Sequence, residues 1–466
     1  MPHLPDLFTT HAVFALMGLS LYAIDSHTHR KRRHPSAAIA WFISLLLVPY
    51  VAVPVYFLVG RRKLETQRLM GHSFQHHKFS KTPSLALPPL HSIASALGLR
   101  EAVTTEALVI HQDGPQAWQA LLSCIASANQ TLEICSFLIS RDSVGNDIQA
   151  LLIQKAKQGV RIRVLVDGLG YYMGGLPPFK ALRQAGVAVV LFAPPLQTSL
   201  QGRTNFRNHR KLAVADAVWM WSGGRNFANP YFNLHLHPHH KPWVDLSFDV
   251  RGAIAQHAQD LFNHDWAFAT HQTPINQSAH PNTPSIQPDR GARLVPSGPD
   301  QAEDTVYMLL IAACFTAQSH IQLVTPYFIP DQSLLTALEI AALRGVRIDL
   351  LLPKTSNHTL ADIARCAPLR DLARAGACIW LHPSMLHAKA IVIDDTMALV
   401  GSANLDERSL FLNYELMVAF YEEQAVAGFT QWLTTQIQVS TAYQSTKTGW
   451  VRDIGEGFVR WVAFQL

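Results

Sequence analysis

The sequence predicts an α/β protein of two pseudo-equivalent lobes, each a mixed sheet flanked by helices, behind an N-terminal membrane anchor of two apolar segments. Three observations predict it. The pattern H-x-K-x4-D followed by G-[GS]-x-N occurs twice, with both its first histidine and its last asparagine displaced by 178 residues. Strand and helix patterns recur in the same order around each copy. Two long uncharged apolar stretches precede everything else.

In chain order, Phe8 to Ile24 is uncharged over 17 residues, the lower limit for a spanning helix, and Ser36 to Val59 is uncharged over 24. A cleaved signal peptide would need basic residues before the first stretch, whereas Arg30 to Arg33 follow it. Residues 1–63 are therefore expected to be the anchor. Basic clusters flank the second stretch on both sides, at Arg30 to Arg33 and at Arg61, Arg62 and Lys63. A straight hairpin would put them on opposite faces, against the positive-inside bias. Pro49 and Pro54 interrupt the stretch, so a bent segment that dips in and returns is expected.

Residues 64–110 read as a polar linker, His- and Ser-rich from Leu64 to Leu97, with His72, His76 and His77 as loop residues rather than metal ligands. The first lobe is placed at 111–270, with a helix over Trp118 to Ala128, a strand over Thr131 to Ile139, a helix over Asp147 to Gln158 and a strand over Val160 to Val166. Asp167 to Gly175, DGLGYYMGG, has mis-spaced glycines for a dinucleotide turn and reads as a loop. His235, His237, His239 and His240 lack an acidic or thiol partner and read as a loop beside the site entrance. An inter-lobe linker is expected at 271–290, rich in Pro, Gln, Asn and Ser. The second lobe, 291–466, repeats the pattern: GVRIRVLV at Gly159 answers GVRIDLLL at Gly345, and Ala185-Gly186 answers Ala375-Gly376. Trp450, Ile454, Phe458 and Trp461 have helical spacing and are expected to pack on the core.

A chain of 466 residues is long enough for two domains, and its net charge of +5 suits an anionic surface. Its five cysteines are odd in number and sit mostly in apolar runs, so no essential disulfide is expected.

The chemistry lies in the doubled pattern. His209 and Lys211 precede one short apolar run that ends near Asp216; His387 and Lys389 precede the other, which ends near Asp394. Residues two apart on a strand share a face, so each copy sets an imidazole beside an ammonium. That pair suits an anionic phosphate ester, the lysine holding charge while the histidine attacks phosphorus or moves a proton. A single copy would be a weak signal. Two copies at one spacing are not explained by packing. Asn226, Asn404 and Ser402 follow as substrate-binding candidates, and Gly224 stands where the second copy has Ser402.

With these residues the chain resembles the phospholipase D superfamily and, within it, the bacterial cardiolipin synthases. The likeness extends to PWVDLSFDVRG from Pro242, TPYFIP from Thr325 and NLDERSLFLNYE from Asn404. It implies two phospholipase D-like lobes and a phosphatidyltransferase that joins two phosphatidylglycerol molecules into cardiolipin and glycerol. It implies a phosphohistidine intermediate, with His209 as nucleophile and His387 as acid and then base; pseudo-symmetry permits the reverse. It assigns Asp216 and Asp394 to hold or tune the imidazoles. Asp245 and Glu415 are pocket-lining candidates left outside the catalytic set, and Arg408 has a phosphate contact and a surface salt bridge as equal accounts. No metal or cofactor is expected, because two lysines supply the positive charge. Asn229-Pro230 stand where the synthase pattern commonly has acidic residues, which bears on the headgroup. The expected location is the bacterial inner membrane, with the lobes facing the cytoplasm.

Four rivals remain. A nuclease with the same motifs would want a basic groove interleaved with aromatics, and the basic residues here gather at the membrane boundary instead. A catalytically dead scaffold would usually have lost a motif residue, and all six are present. A lipid hydrolase releasing phosphatidic acid differs only in its acceptor, as does a synthase taking phosphatidylethanolamine as second lipid. Nucleic acid is not an expected partner, and no obligate protein partner is evident.

Overall fold

A computed structural model describes residues 4–28, 35–59, 89–195, 205–234, 242–272, 291–445 and 456, 457 and 459. By compactness the chain divides into 1–62 with 193–206, and 63–192 with 207–466.

The first unit contains α1 (Leu4–Thr28), α2 (Pro35–Leu47) and α3 (Pro49–Val59). The Tyr56 ring meets the rings of Tyr22 at 5.7 Å and Trp41 at 5.0 Å, tying the three helices together. The expected spanning helices are not found: among the described residues, no helix is long and apolar enough to cross a membrane. The second apolar stretch breaks at Val48, ahead of Pro49, whose ring nitrogen cannot donate a helical hydrogen bond. Pro54 sits within α3 without ending it.

In the second unit the chain begins with α4 (Pro89–Ala96), β1 (Ala107–His111), α5 (Gly114–Ser127), β2 (Thr131–Ser136), α6 (Ser143–Lys157) and β3 (Arg161–Asp167). It continues through α7 (Gly168–Met173), α8 (Lys180–Gln184), β4 (Ala188–Phe192), β5 (Leu212–Ala215), β6 (Trp219–Gly223), α9 (Asn229–Phe232), β7 (Ser247–Arg251) and α10 (Ala253–Thr270). The second half is β8 (Ala292–Ser297), α11 (Thr305–Thr316), β9 (His320–Val324), β10 (Phe328–Ile329), α12 (Gln332–Leu343), β11 (Arg347–Pro353), α13 (Thr359–Ala364), α14 (Cys366–Arg374) and β12 (Cys378–His382). It closes with β13 (Ala390–Ile393), β14 (Met397–Gly401), β15 (Leu405–Asp406), α15 (Glu407–Phe411), β16 (Glu415–Phe420), α16 (Glu423–Gln438) and β17 (Thr441–Ala442).

The two large sheets share one strand order, which the second extends by β17, and β10 pairs with β15 apart from them. One runs β1-β7-β6-β5-β2-β3-β4, and the other β8-β16-β14-β13-β9-β11-β12-β17. In each, three strands are parallel (β2, β3 and β4; β9, β11 and β12) and the rest pair antiparallel. This is the expected mixed sheet, made twice. The helix–strand connections that parallel neighbours require carry the helices, and buried faces of both form the cores.

Helix starts follow local chemistry. The Asp113 carboxylate accepts from Gln116 N at 2.8 Å, so α5 begins ahead of the expected Trp118. Asp142 does the same for α6, which begins ahead of the expected Asp147. Two expectations are corrected. DGLGYYMGG is not a loop, because Asp167 accepts from Leu169 N and Gly170 N and starts α7. The expected polar linker holds α4, whose Leu90 and Ala94 are buried in the second lobe's core. The histidines at 72, 76, 77 and 235–240, residues 273–290 of the expected inter-lobe linker and most of 450–466 lie outside the described residues.

Candidate active site

Each histidine stands just before a central strand, at the end where the neighbouring parallel strand finishes. His209 and Lys211 precede β5, and His387 and Lys389 precede β13. Backbone pairing then crosses the lobes. His209 N donates to Tyr414 O and Tyr414 N donates to Arg207 O, both at 2.8 Å. Symmetrically, Val244 N donates to Met385 O at 2.8 Å and His387 N to Val244 O at 2.6 Å. Each bridge sets a histidine from one lobe beside a carboxylate from the other.

The carboxylates on the imidazoles are Glu415 and Asp245. His209 Nδ1 lies 3.3 Å from Glu415 Oε1, and His387 Nδ1 lies 2.7 Å from Asp245 Oδ2. Both acids are fully buried and held in place: Ser402 Oγ donates to Glu415 Oε2 at 2.5 Å, and Leu246 N donates to Asp245 Oδ1 at 2.7 Å. With Nδ1 engaged, Nε2 of each ring is the nitrogen left for chemistry. Gly224 and Ser402 are matched to their acids. A Cβ on Gly224 would sit 2.3 Å from Asp245 Oδ1, so a serine there has no room.

Asp216 and Asp394 do not reach the imidazoles. Asp216 accepts from the backbone N–H groups of Asn129, Gln130 and Thr131 at 2.7–2.8 Å, and Asp394 from those of Gln318, Ser319 and His320 at 2.8–3.0 Å. Each occupies the turn of a two-strand hairpin at positive φ, 52° and 46°, which aspartate tolerates. Burial pushes these carboxyls up, but the backbone donors outweigh it and hold both below the ordinary range. They pin the start of β2 and of β9.

The lysines are buried beside their histidines. Lys211 Nζ donates to His209 O at 2.7 Å; Lys389 Nζ donates to His387 O and packs against the ring, 2.8 and 3.0 Å from its two nitrogens. Burial drives Lys389 down to about 7, with Lys211 adding to it and Asp245 opposing. Burial also lowers Lys211, against Glu415 and Asp245. His387 falls to about 4 through burial and Lys389, and His209 falls through burial and Lys211. Burial would raise Asp245 and Glu415, but His387 and His209 respectively lead the charges that bring them below their ordinary values. Two buried lysines, each beside a neutral imidazole whose Nδ1 faces an ionised carboxylate, give an anion two cations to meet and two ring nitrogens to react with.

Asn226 and Asn404 are buried here, each with an amide oxygen that finds no partner among the described residues. Asn226 Nδ2 donates to Tyr231 OH at 2.9 Å, and the Tyr231 ring lies 5.0 Å from that of His387. Sequence reasoning missed Tyr231, Trp243 and Phe137, which wall the two histidines. It also missed Arg210, between His209 and Lys211 but on the opposite face. Arg210 is fully buried; its Nε donates to Glu415 O at 3.1 Å and its guanidinium pairs with Asp265 and Asp300, clamping the lobes together. Asn229 turns away from the site, its amide oxygen accepting from Ser143 Oγ and Val144 N at the start of α6.

The family described as "Cardiolipin synthase, PLD-like domain" matches residues 121–266 and 310–437, spanning both histidine–lysine pairs. The chain belongs to this family. A second family, "Phospholipase_D-nuclease N-terminal", matches residues 14–61. The chain is 32% identical over 414 residues to the major cardiolipin synthase ClsA of Bacillus subtilis (strain 168), covering 84% of this chain and 85% of that one. It is 29% identical over 452 residues to cardiolipin synthase A of Pseudomonas putida (strain W619), covering 92% and 93%. The fold is shared with phosphatidylserine synthase from Haemophilus influenzae Rd KW20, at a TM-score of 0.61 and 13% identity over 81% of this chain and all of that one.

Proposed function

We propose that the chain is a cardiolipin synthase that moves a phosphatidyl group from one phosphatidylglycerol to another, releasing glycerol. The observation that carries the reading is the pair of imidazoles, each bound through Nδ1 to a buried carboxylate of the other lobe, with a buried lysine beside each. Neutral His209 attacks phosphorus through Nε2, forming the P–N bond as the P–O bond to the glycerol headgroup breaks. His387, with its charge held by Asp245, gives its proton to the departing glycerol oxygen. It then takes a proton from a headgroup hydroxyl of the second phosphatidylglycerol, whose oxygen attacks phosphorus and releases His209. Lys211 and Lys389 neutralise the non-bridging oxygens, with Asn226 and Asn404 around them; the Ser402 hydroxyl, expected to bind substrate, is instead taken up by Glu415 and Leu416 N.

The resting His387 is too acidic to hold a proton near neutrality. A bound phosphodiester places negative charge between the lysines and offsets their repulsion of the imidazolium, so the acid is charged when substrate is present. Asp216 and Asp394 enter this scheme by fixing the strands, not by touching the rings.

Helices α1 to α3 hold the chain at the bacterial inner membrane, with the catalytic unit on the cytoplasmic side. The two uncharged stretches, the family match at 14–61 and the break at Val48 support this, since a bent second segment returns both basic clusters to one face. Cysteine labelling at residues near 33 and 63 tests it, and reaction from opposite faces would overturn it.

The deciding experiment gives the purified full chain labelled phosphatidylglycerol alone and resolves the products by mass spectrometry. Cardiolipin with released glycerol, absent from His387→Ala, is expected. Phosphatidic acid as sole product would make the protein a hydrolase, and turnover only after phosphatidylethanolamine is added would change the second lipid.

A further inference from the structure

Four large apolar side chains stand exposed within eight residues on α7 and the turn after it. Leu169 is 40% exposed, Tyr172 46%, Met173 61% and Leu176 48%. Leu176 is held there at a φ of 55°, a left-handed conformation that a bulky residue adopts at a cost glycine or asparagine would avoid. Solvent alone gives no reason for such a patch.

The patch is fastened to the histidines. Asp167, which starts α7 through Leu169 N and Gly170 N, also accepts from Asn208 N at 2.8 Å and pairs with Arg207, the two residues before His209. On its inner face α7 lies flush against the chain that follows β2: a Cβ on Gly170 would sit 1.8 Å from Phe137 O. The Phe137 ring in turn meets the His209 ring at 4.4 Å. Another exposed apolar cluster, Met308, Phe315, Ile340 and Leu343, lies on α11 and α12.

The rim of the patch is basic. Arg141, exposed, is joined to it through Arg141 N donating to Gly174 O at 2.8 Å, and exposed Lys180 opens α8 just beyond the turn. Apolar side chains that enter an acyl layer, flanked by cations that meet anionic headgroups, are the composition of an interfacial membrane contact.

We propose that α7 and its following turn seat the catalytic unit on an anionic bilayer, with Leu169, Tyr172, Met173 and Leu176 entering the headgroup–acyl boundary beside His209. This rests on the lipid-substrate reading and adds where the lipid surface is met. A substrate phosphate then has only to rise from the bilayer plane to reach the histidines.

The test uses the full chain, with Cys366 and Cys378 replaced by serine, in phosphatidylglycerol nanodiscs. A nitroxide is attached through Met173→Cys, or for comparison through Gln184→Cys on the exposed side of α8. The nitroxide at 173 is expected to be reached by dissolved oxygen in preference to a water-soluble nickel chelate, with the opposite preference at 184. Chelate access at 173 equal to that at 184 overturns the proposal. A second measurement compares rates on bilayer and on monomeric short-chain phosphatidylglycerol. In the triple variant Tyr172→Gln, Met173→Gln, Leu176→Asn the bilayer-to-monomer ratio should fall about tenfold, and an unchanged ratio overturns the proposal. If the unaltered chain makes no cardiolipin from either form while the nitroxide still lies in lipid, the functional reading fails and the seating stands.

Discussion

Asp245 Oδ2 lies 2.7 Å from His387 Nδ1, although 142 residues separate the two in the chain. The contact joins the lobes, and it gives the imidazole a fixed tautomer and a counter-charge in a buried site. Asp245→Asn keeps the shape and removes the charge. The loss of a carboxylate from an imidazole that must carry a proton is expected to lower kcat by about 10² to 10⁴. KM for phosphatidylglycerol should change little, because the lysines remain. Steady-state kinetics with a melting curve checks this; a kcat within a factor of about three of the unaltered protein would remove Asp245 from the acid–base step.

Asp216→Asn and Asp394→Asn should behave differently. Asparagine tolerates the positive φ of the hairpin turn, so the substitution keeps the backbone and removes the charge and one of the two acceptor oxygens that gather three backbone N–H groups. Weakening those charge-assisted bonds is expected to cost about 1–3 kcal/mol of stability. The rate per folded molecule at moderate temperature should stay near that of the unaltered protein. A large fall in kcat without a fall in Tm would return these aspartates to the imidazoles.

The contrast marks what the sequence carried. His209, Lys211, His387 and Lys389 were legible because the reaction needs those residue types and the duplication shows them twice. The two sheets were legible because GVRIRVLV and GVRIDLLL are buried strands in parallel register positions. The partners of the histidines were not legible. Asp216 follows its histidine at the same spacing as Asp394, but a hairpin turn carries both carboxylates to the far end of the strand. Glu415 and Asp245 could be named as acidic residues in PWVDL and LNYE, yet their pairing depends on backbone bridges between lobes that no local pattern encodes. Arg210 was hidden by its position between two catalytic side chains, on the face that a strand turns away from them. In α7 the glycines masked a helix that the Asp167 cap creates.

The two histidines should separate by their covalent chemistry. A phosphatidyl ester of p-nitrophenol has a leaving group that needs no proton. With this substrate His387→Ala should still form a phosphatidyl-enzyme, visible as an added mass on the intact protein, while His209→Ala should form none. Both variants should fail to make cardiolipin from phosphatidylglycerol. Adduct on His209→Ala and none on His387→Ala would exchange the roles, which the pseudo-symmetry of the site allows.

Lys389 titrates at about 7 in the resting site, chiefly through burial. A lysine with a depressed value is charged below it and neutral above it, so anion affinity should weaken as pH rises through 7. Tungstate, a dianion across pH 6.5–9, is a suitable probe. Its Kd should rise across that range, and Lys389→Met should bind it weakly with a flatter profile. The sign for stability is opposite: between about 7 and the ordinary lysine value only the unfolded chain still binds this proton, so the free protein gains stability as pH rises. A pH-independent tungstate Kd would show that Lys389 keeps its proton throughout.

Gly224 tests how closely the site is fitted. Its missing side chain leaves the space that Asp245 occupies, and a Cβ there would come within 2.3 Å of Oδ1. Asp245 is fully buried and cannot swing into solvent, so Gly224→Ala must displace the carboxylate that orients His387. A shift approaching an ångström at an orienting group is expected to lower kcat by about 10²-fold. Ser402→Ala, on the other half, deletes a hydroxyl that donates to Glu415 Oε2 and accepts from Leu416 N. It leaves Glu415 beside His209 with Asn413 Nδ2 3.3 Å from Oε1, so its effect on kcat should be smaller, about tenfold. Measuring both by kcat and Tm distinguishes a displaced acid from a lost hydrogen bond. If Gly224→Ala turns over like the unaltered chain, the space at Gly224 does not set the position of Asp245, and the imidazole is oriented by the Val244–His387 backbone pairing alone.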